Sequence, residues 1–431
     1  MAKSFITFPG TNEYVPCNYL LRGERVEGVR FVQEALLGFL RPEFGPEDRI
    51  LVFLTDEARK ANWEGERYSD ATGLRERLNK MGLPAQITDH SIPAGKTEDE
   101  IWKIFSCVYD ALHENEEIIL DITHAFRFIP MLTIIAMNFA GFMKNVSIRG
   151  IYYGAVEAIG SIRQLKEMRL KERNAPVFDL TSFSTLQQWS SAADVFVNHG
   201  DSRKLVETIQ HVTSKNFNHT TIVDPGIRAT SGLKKPLLTV TECIETNRGP
   251  MIVNGEIFSV LRERIKAMQA ESANKTSPLM LLLKRIEKKI QPFKNQELEN
   301  GIVAAEWCLE HGLIQQGITL FQETLISLVL EKVEQDWSDQ SLRELVTNIF
   351  ALKRSKNGLE KISRMNENKA IIDQILMLND VATFSRCFDL VTKTRNDINH
   401  GGFKKNSASN PKHFHNQLQK ALETLRNRNA E

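Results

Sequence analysis

A chain of 431 residues is too long for one ordinary core, and at roughly 100 to 200 residues per domain it reads as two or three. Hydrophobic residues at 42% and charged residues at 25% are the mix of a globular protein that can fill its cores, which excludes general disorder. A formal net charge of +1 excludes a globally basic field, so any nucleic-acid surface must come from local clusters of Lys and Arg.

The first 180 residues alternate short β-rich runs with helical periods. The runs are SFITF near the start, ILVFLT at Ile50 to Thr55, EIILDIT at Glu117 to Thr123 and IRGIYYG at Ile148 to Gly154. Between them, helical spacing is seen at Val29 to Leu40, Ala71 to Met81, Glu98 to Leu112 and Ile129 to Met143. This pattern predicts a mostly parallel sheet with helices on both faces, Rossmann-like in the broad sense. The stretch from Phe128 to Met143 is the longest apolar one. It falls short of the roughly 20 residues needed to cross a bilayer and reads as a buried helix.

After VFDLT at Val177 to Thr181 the pattern turns helical, with a polar, weakly patterned stretch around Thr213 to Lys235. From Ile302 no strand pattern remains. Helices are predicted through Val303 to Lys332, Gln340 to Leu352, Ala370 to Leu378 and Val381 to Asn396, with another after Pro411. The expected division is therefore an α/β domain at 1–180, an all-α helical connector at 181–298 and a helical domain at 299–431.

The five cysteines, Cys17, Cys107, Cys243, Cys308 and Cys387, lie far apart without a CxxC pair. Neither a disulfide framework nor a zinc site is indicated, and a reducing cytoplasm fits. The opening MAKSFITF has none of the segments of a secretory signal.

In a parallel sheet, ligands sit at the carboxyl ends of the strands, which directs attention to PGTNEYVPCNY and DITHAFRFIP. Gly10, Thr11 and Asn12 offer backbone N–H groups and small polar side chains to a nucleotide, the plainer reading being a turn that needs Gly10 for its backbone freedom. Thr123, His124 and Arg127 precede a helix, where an amino terminus and a guanidinium can hold phosphate or ribose oxygens; Asp121 is expected to orient this loop. Gly95, Lys96 and Thr97 look like the end of a phosphate-binding loop, but its earlier glycine position is His90, so Thr97 and Glu100 are read as a capping box. GxGxxG and HExxH are absent. His413 and His415 alternate around Phe414 without companion ligands and read as a surface helix turn more than a metal site.

Arg395 and His400 stand in an R-x4-H arrangement at the end of a helix, followed by Gly401 and Gly402. Cutting RNA without a metal requires a base for the 2′-hydroxyl, an acid for the departing 5′-oxygen and a cation for the phosphorane, and a histidine and an arginine supply these. A helix carboxy-terminal cap explains the same residues structurally. Lys404 and Lys405, close by, can meet an RNA backbone or simply form a solvated loop.

Two segments, AAEWCLEHGLIQQGITLFQETLISLVLEK and TKTRNDINHGG, resemble the HEPN domain, whose ribonucleases carry R-x4-6-H with a polar residue after the arginine. Asn396 stands at that position. The resemblance implies a homodimer, or a larger homo-oligomer, in which both motifs build one composite active site. SFITFPGTNEYVPCNYLL with FVQEALL, VFLTDEARKANWEG and DITHAFRFIPML resembles the CARF domain of type III CRISPR effectors, whose ligand is cyclic oligoadenylate. Together these resemblances imply an allosterically activated, antiviral endoribonuclease that needs no metal or other cofactor and cuts single-stranded RNA when cyclic oligoadenylate, tetra-adenylate by expectation, binds. Arg395, Asn396 and His400 would be catalytic, and Gly10, Thr11, Asn12, Thr123, His124 and Arg127 would hold the activator. A ring-opening activity of the sensor on its own ligand stays open. The reading from another class is a non-catalytic, ligand-responsive regulator or partner-binding module.

Overall fold

The structure, a computed structural model, describes residues 2–123, 128–213, 229–271, 278–353, 368–403 and 409–427. The chain divides into two compact units, one running to Thr185 and the other starting at Leu186.

The first unit is built on an eight-stranded sheet. Its strands are β1 (Lys3–Thr7), β2 (Cys17–Leu21), β3 (Glu24–Val29), β4 (Arg49–Leu54), β5 (Gln86–Ser91), β6 (Glu117–Asp121), β7 (Ser147–Gly154) and β8 (Asn174–Asp179), in the order β3-β2-β8-β7-β6-β1-β4-β5. The stretch from β7 through β5 is parallel, whereas β2 with β3 and β7 with β8 are antiparallel. The mostly parallel Rossmann-like sheet expected from the sequence is thus present, with β2, β3, β5 and β8 added to it.

Side chains alternate across the sheet, so each apolar run feeds two cores. Phe5, Ile50, Val52, Leu54 and Ile119 pack with helices α1 (Val32–Leu40) and α2 (Leu74–Lys80). Their neighbours Ile6, Leu51, Phe53, Ile118 and Leu120 pack with α3 (Glu98–Asp110) and α4 (Ile129–Lys144) on the opposite face. At the amino ends of the strands the buried Glu116 accepts from Ser4 Oγ at 2.9 Å and pairs with Arg49 at 2.7 Å.

Two local expectations are corrected. The apolar helix α4 is buried along one face only. Ile129, Thr133, Ala136, Met137 and Ala140 meet the sheet, while Met131, Ile135, Phe139, Phe142 and Met143 are exposed. Its hydrophobicity runs all the way round, so composition did not reveal that one side stays largely exposed. At the start of α3, Thr97 Oγ1 does accept from Glu100 N–H, but the Glu100 carboxylate reaches the N–H of Lys96 instead of that of Thr97, so the reciprocal box is displaced by one residue.

Among the described residues the second unit is helical: α5 (Thr181–His199), which begins in the first unit, α6 (Arg203–Thr213), α7 (Lys234–Glu245), α8 (Glu256–Glu271), α9 (Pro278–Ile290), α10 (Asn300–Glu310), α11 (Ile314–Lys332), α12 (Gln340–Lys353), α13 (Lys369–Met377), α14 (Val381–Asn399) and α15 (Pro411–Arg426). One apolar cluster gathers α5 to α9, and a second gathers α11 to α15. Helix α10 serves both: Ala304, Trp307 and Cys308 enter the first cluster and Ala305 the second. The residues expected to form a connector and those expected to form the last domain therefore share one compact unit. Among the described residues no helix is long and apolar enough to cross a membrane.

Gly255, between the short helix Gly249–Asn254 and α8, has φ +77°, and a Cβ there would stand 1.9 Å from the Lys294 carbonyl oxygen. Backbone strain and overlap with a fixed carbonyl act together, so Gly255→Ala should destabilise the helical unit by about 2–4 kcal/mol. A fall in the midpoint of its thermal unfolding, followed by circular dichroism, checks this.

Candidate functional site

At the carboxyl edge of the sheet, Asp121 ends β6 with 1% of its surface exposed. Its carboxylate accepts from Thr7 Oγ1 (2.7 Å), Gln33 Nε2 (2.9 Å), Thr123 N (3.0 Å) and Thr123 Oγ1 (2.6 Å). Thr123 Oγ1 in turn accepts from Gly154 N–H at 2.9 Å, tying the ends of β6 and β7 together. All four donors to the carboxylate are neutral. Burial therefore raises the Asp121 pKa above the ordinary carboxylate value, against the lowering pull of the bonds from Thr123, Thr7 and Gln33. Asp121, expected to orient the loop after β6, holds its described start through two bonds from Thr123. His124 and Arg127 lie outside the described residues.

The loop after β1 is braced by residues that sequence reasoning left without a role. Asn62 Nδ2 donates to the carbonyls of Gly10 (2.7 Å) and Asn12 (2.9 Å), and Tyr68 Oη donates to Asn62 Oδ1 at 2.7 Å. The Gly10 N–H donates to Tyr14 Oη at 2.9 Å, so this amide is already engaged within the loop, and Gly10 does not adopt positive φ. The side chains of Thr11 and Asn12 make no hydrogen bond among the described residues and remain available. Asn62 and Gln33 do lie in segments that carried the sensor resemblance, ARKANWEG and FVQEALL, which was the signal available for them.

In the helical unit, Arg395 and His400 sit at the end of α14 but face different surroundings. The Arg395 guanidinium turns toward α11, donating from Nη1 to Gln322 Oε1 at 3.2 Å and pairing through Nη2 with Glu323 Oε1 at 3.2 Å. Its Nε is buried without an acceptor. Glu323 also pairs with Arg343 at 2.7 Å, and the buried Gln322 donates to Thr392 Oγ1 of α14 at 2.8 Å. His400 is the exposed carboxy-terminal cap of α14, its N–H donating to Asn396 O at 3.1 Å, and Gly401 follows at φ +60°. Asn396 and His400, one turn apart, are both exposed, and neither side chain is hydrogen-bonded among the described residues. The capping geometry is thus real, and it leaves His400 free at the surface. Lys404 and Lys405 lie outside the described residues. His413 and His415 of α15 open onto different cavities, of about 690 and 920 Å³.

An open, mostly parallel sheet whose polar loops converge at the strands' carboxyl edge defines the Rossmann-like ligand-binding class. Residues 4–157 match the family described as "CRISPR system endoribonuclease Csx1, CARF domain". The chain is also similar to the CRISPR-associated protein MJ1674 of Methanocaldococcus jannaschii, with 32% identity over 123 residues, 28% of this chain and 18% of that protein. The chain thus spans less than a fifth of that relative's length. The amino-terminal α/β unit is thus similar to a CARF domain of CRISPR-associated proteins, and a largely helical region follows it.

Because the fold raises the Asp121 pKa, the native state holds its proton more tightly than the unfolded chain does. Stability from this group therefore grows as pH falls through the folded value and is complete below the unfolded value of about 3.9. Asp121→Asn, which cannot accept from all four donors, should cost about 1–3 kcal/mol near neutrality. Its deficit relative to wild type should widen as the pH is lowered toward 4. Thermal unfolding of both proteins across that range tests the sign.

Proposed function

We propose that the protein is a cyclic-oligoadenylate-activated endoribonuclease of type III CRISPR defence, acting in the cytoplasm as a homodimer or larger homo-oligomer. The observation that carries this reading is the joining, in one chain, of a CARF match to a helical unit with an exposed His400 five residues after Arg395 at a helix end.

The HEPN resemblance of α10, α11 and α14 supplies the rest. Two copies of the motif would form one composite site, with His400 as acid or base, Arg395 stabilising the phosphorane and Asn396 positioning Arg395 or the phosphate. The 2′-oxygen attacks the adjacent phosphorus as its proton leaves to the base. The bond to the 5′-oxygen breaks as that oxygen takes a proton from the acid. The products carry 2′,3′-cyclic phosphate and 5′-hydroxyl ends, and no metal enters the step. The activator, tetra-adenylate by preference, would be held by Thr11, Asn12, Thr123, His124 and Arg127 from both protomers, with Gly10 shaping its loop.

The engagement of Arg395 by Glu323 and Gln322 favours a second reading, in which this arginine is a tie between α11 and α14 and the helical unit is a ligand-responsive regulator. Labelled single-stranded RNA incubated with the protein and a panel of cyclic oligoadenylates separates the two. The enzyme reading expects cleavage only with activator and in EDTA, with at least a hundredfold loss in His400→Ala and Arg395→Ala while ligand binding persists. Arg127→Ala should raise the activator concentration required and leave the saturated rate nearly unchanged. Full cleavage by both motif variants, or none by wild type with any ring size, supports the regulator instead.

A further inference from the structure

A cleft of about 690 Å³ in the helical unit lies along α14 and is closed by the end of α12 and the first turn of α15. Lys353, Arg386, Lys393 and His413 line it, with Asp389 the one acidic side chain among the described lining residues and Gln417 beside it. Lys353, Arg386 and Lys393 have no carboxylate partner among the described residues. Lys353 is half-buried, and burial alone lowers its pKa, with no anion opposing it. A cation desolvated without a counter-charge is costly, and an anionic ligand removes that cost.

The register along α14 adds direction. Arg386, Lys393 and His400 recur every seventh residue, which at 100° per residue keeps them within about 40° of one line and spaces them about 10.5 Å apart along the axis. Arg386 and Lys393 are exposed, as is His400 at the end of the same line. This line is distinct from the face of Arg395, which turns toward α11. A row of unneutralised cations with a cleft beside it suits a polyanion with charges at regular intervals better than a single small anion.

We propose that this cleft and the cationic line leading from it to His400 hold the phosphodiester backbone of the single-stranded RNA that is cut. The inference rests on the ribonuclease reading for its substrate and adds the surface that delivers the strand. Arg386, Lys393 and Lys353 are binding residues here and take no part in proton transfer.

The test uses the full chain carrying His400→Ala, so that the strand stays intact, and an unstructured fluorescein-labelled RNA read by anisotropy over a range of KCl, with and without cyclic tetra-adenylate. Arg386→Gln with Lys393→Gln should weaken binding about tenfold or more. It should also lower the slope of log affinity against log salt by about 1.4, close to 0.7 for each lost phosphate contact on a single strand. Lys393→Glu alone should weaken it at least as much, whereas Lys235→Gln with Lys284→Gln, exposed elsewhere on the unit, should leave affinity and slope unchanged. With His400 restored, the Arg386 and Lys393 substitutions should raise KM with little change in kcat. Parental affinity and slope in the Arg386 and Lys393 variants overturn the proposal, as does a parent protein that binds no RNA. If RNA binding depends on these residues but the His400-containing protein never cleaves, the cleft assignment stands and the ribonuclease reading falls.

Discussion

The carboxyl edge of the sheet is organised by a carboxylate that has no cation partner among the described residues. Asp121 is buried at the end of β6, where an unsatisfied charge would be prohibitive, and every bond to it comes from a neutral donor. That requirement fixes three other elements at once. Thr7 must end β1 beside it, Gln33 must enter from the first turn of α1, and Thr123 must fold back so that its hydroxyl bridges Asp121 to Gly154 of β7. The opposite end of the same strands solves the same problem differently, since Glu116 there has Arg49 as partner. One edge is neutralised by an ion pair. The other, among the described residues, is satisfied by neutral donors alone.

How much of this was legible depends on where the information lies. The strands buried on both faces, SFIT, ILVFL and EIILD, advertise themselves as continuous apolar runs, because each side chain has a core to enter whichever way it points. Strand β5, QITDHS, lies at the sheet edge with only half-buried and exposed side chains, so its sequence lacks that signature. The hairpin of β2 and β3 turns through Arg22 at φ +51°, an uncommon residue for that conformation, in place of the Asn-Gly or Asp-Gly that marks such turns.

The site divides along the same line. Asp121 bonding to Thr123, two residues on, is local and readable from a strand that ends in an acid before a loop. Asn62 bracing Gly10 and Asn12 spans about fifty residues, and Arg395 meeting Glu323 spans more than seventy. Tertiary packing chooses such partners, and no spacing in the chain encodes them. The helix cap at His400 was readable because it is written in consecutive residues, His400 followed by Gly401 and Gly402.

Magnitudes decide how the Arg395 contact bears on function. The pair with Glu323 is partly solvent-exposed on both sides, at 33% and 41%, and such pairs contribute about 0–1 kcal/mol. Glu323 keeps Arg343 when Arg395 leaves, so release does not strand a buried carboxylate. The Arg395 Nε, buried without an acceptor, gains one if the guanidinium moves to a phosphate, and hydrogen bonds to charged groups contribute about 1.5–3 kcal/mol. That exchange also takes the donor from the buried Gln322 Oε1, a loss of about 1–3 kcal/mol, so the two arrangements of Arg395 lie close in energy. If the protein is the ribonuclease proposed above, an arginine parked on a shared glutamate is compatible with catalysis, and the ligand-dependent step would need only to bring the second copy of the motif and the RNA to a residue able to exchange partners. On that reading, a preference of about 3 kcal/mol of the activator for the assembled state would raise its population more than a hundredfold from a rare minority, without any ligand atom near the RNA.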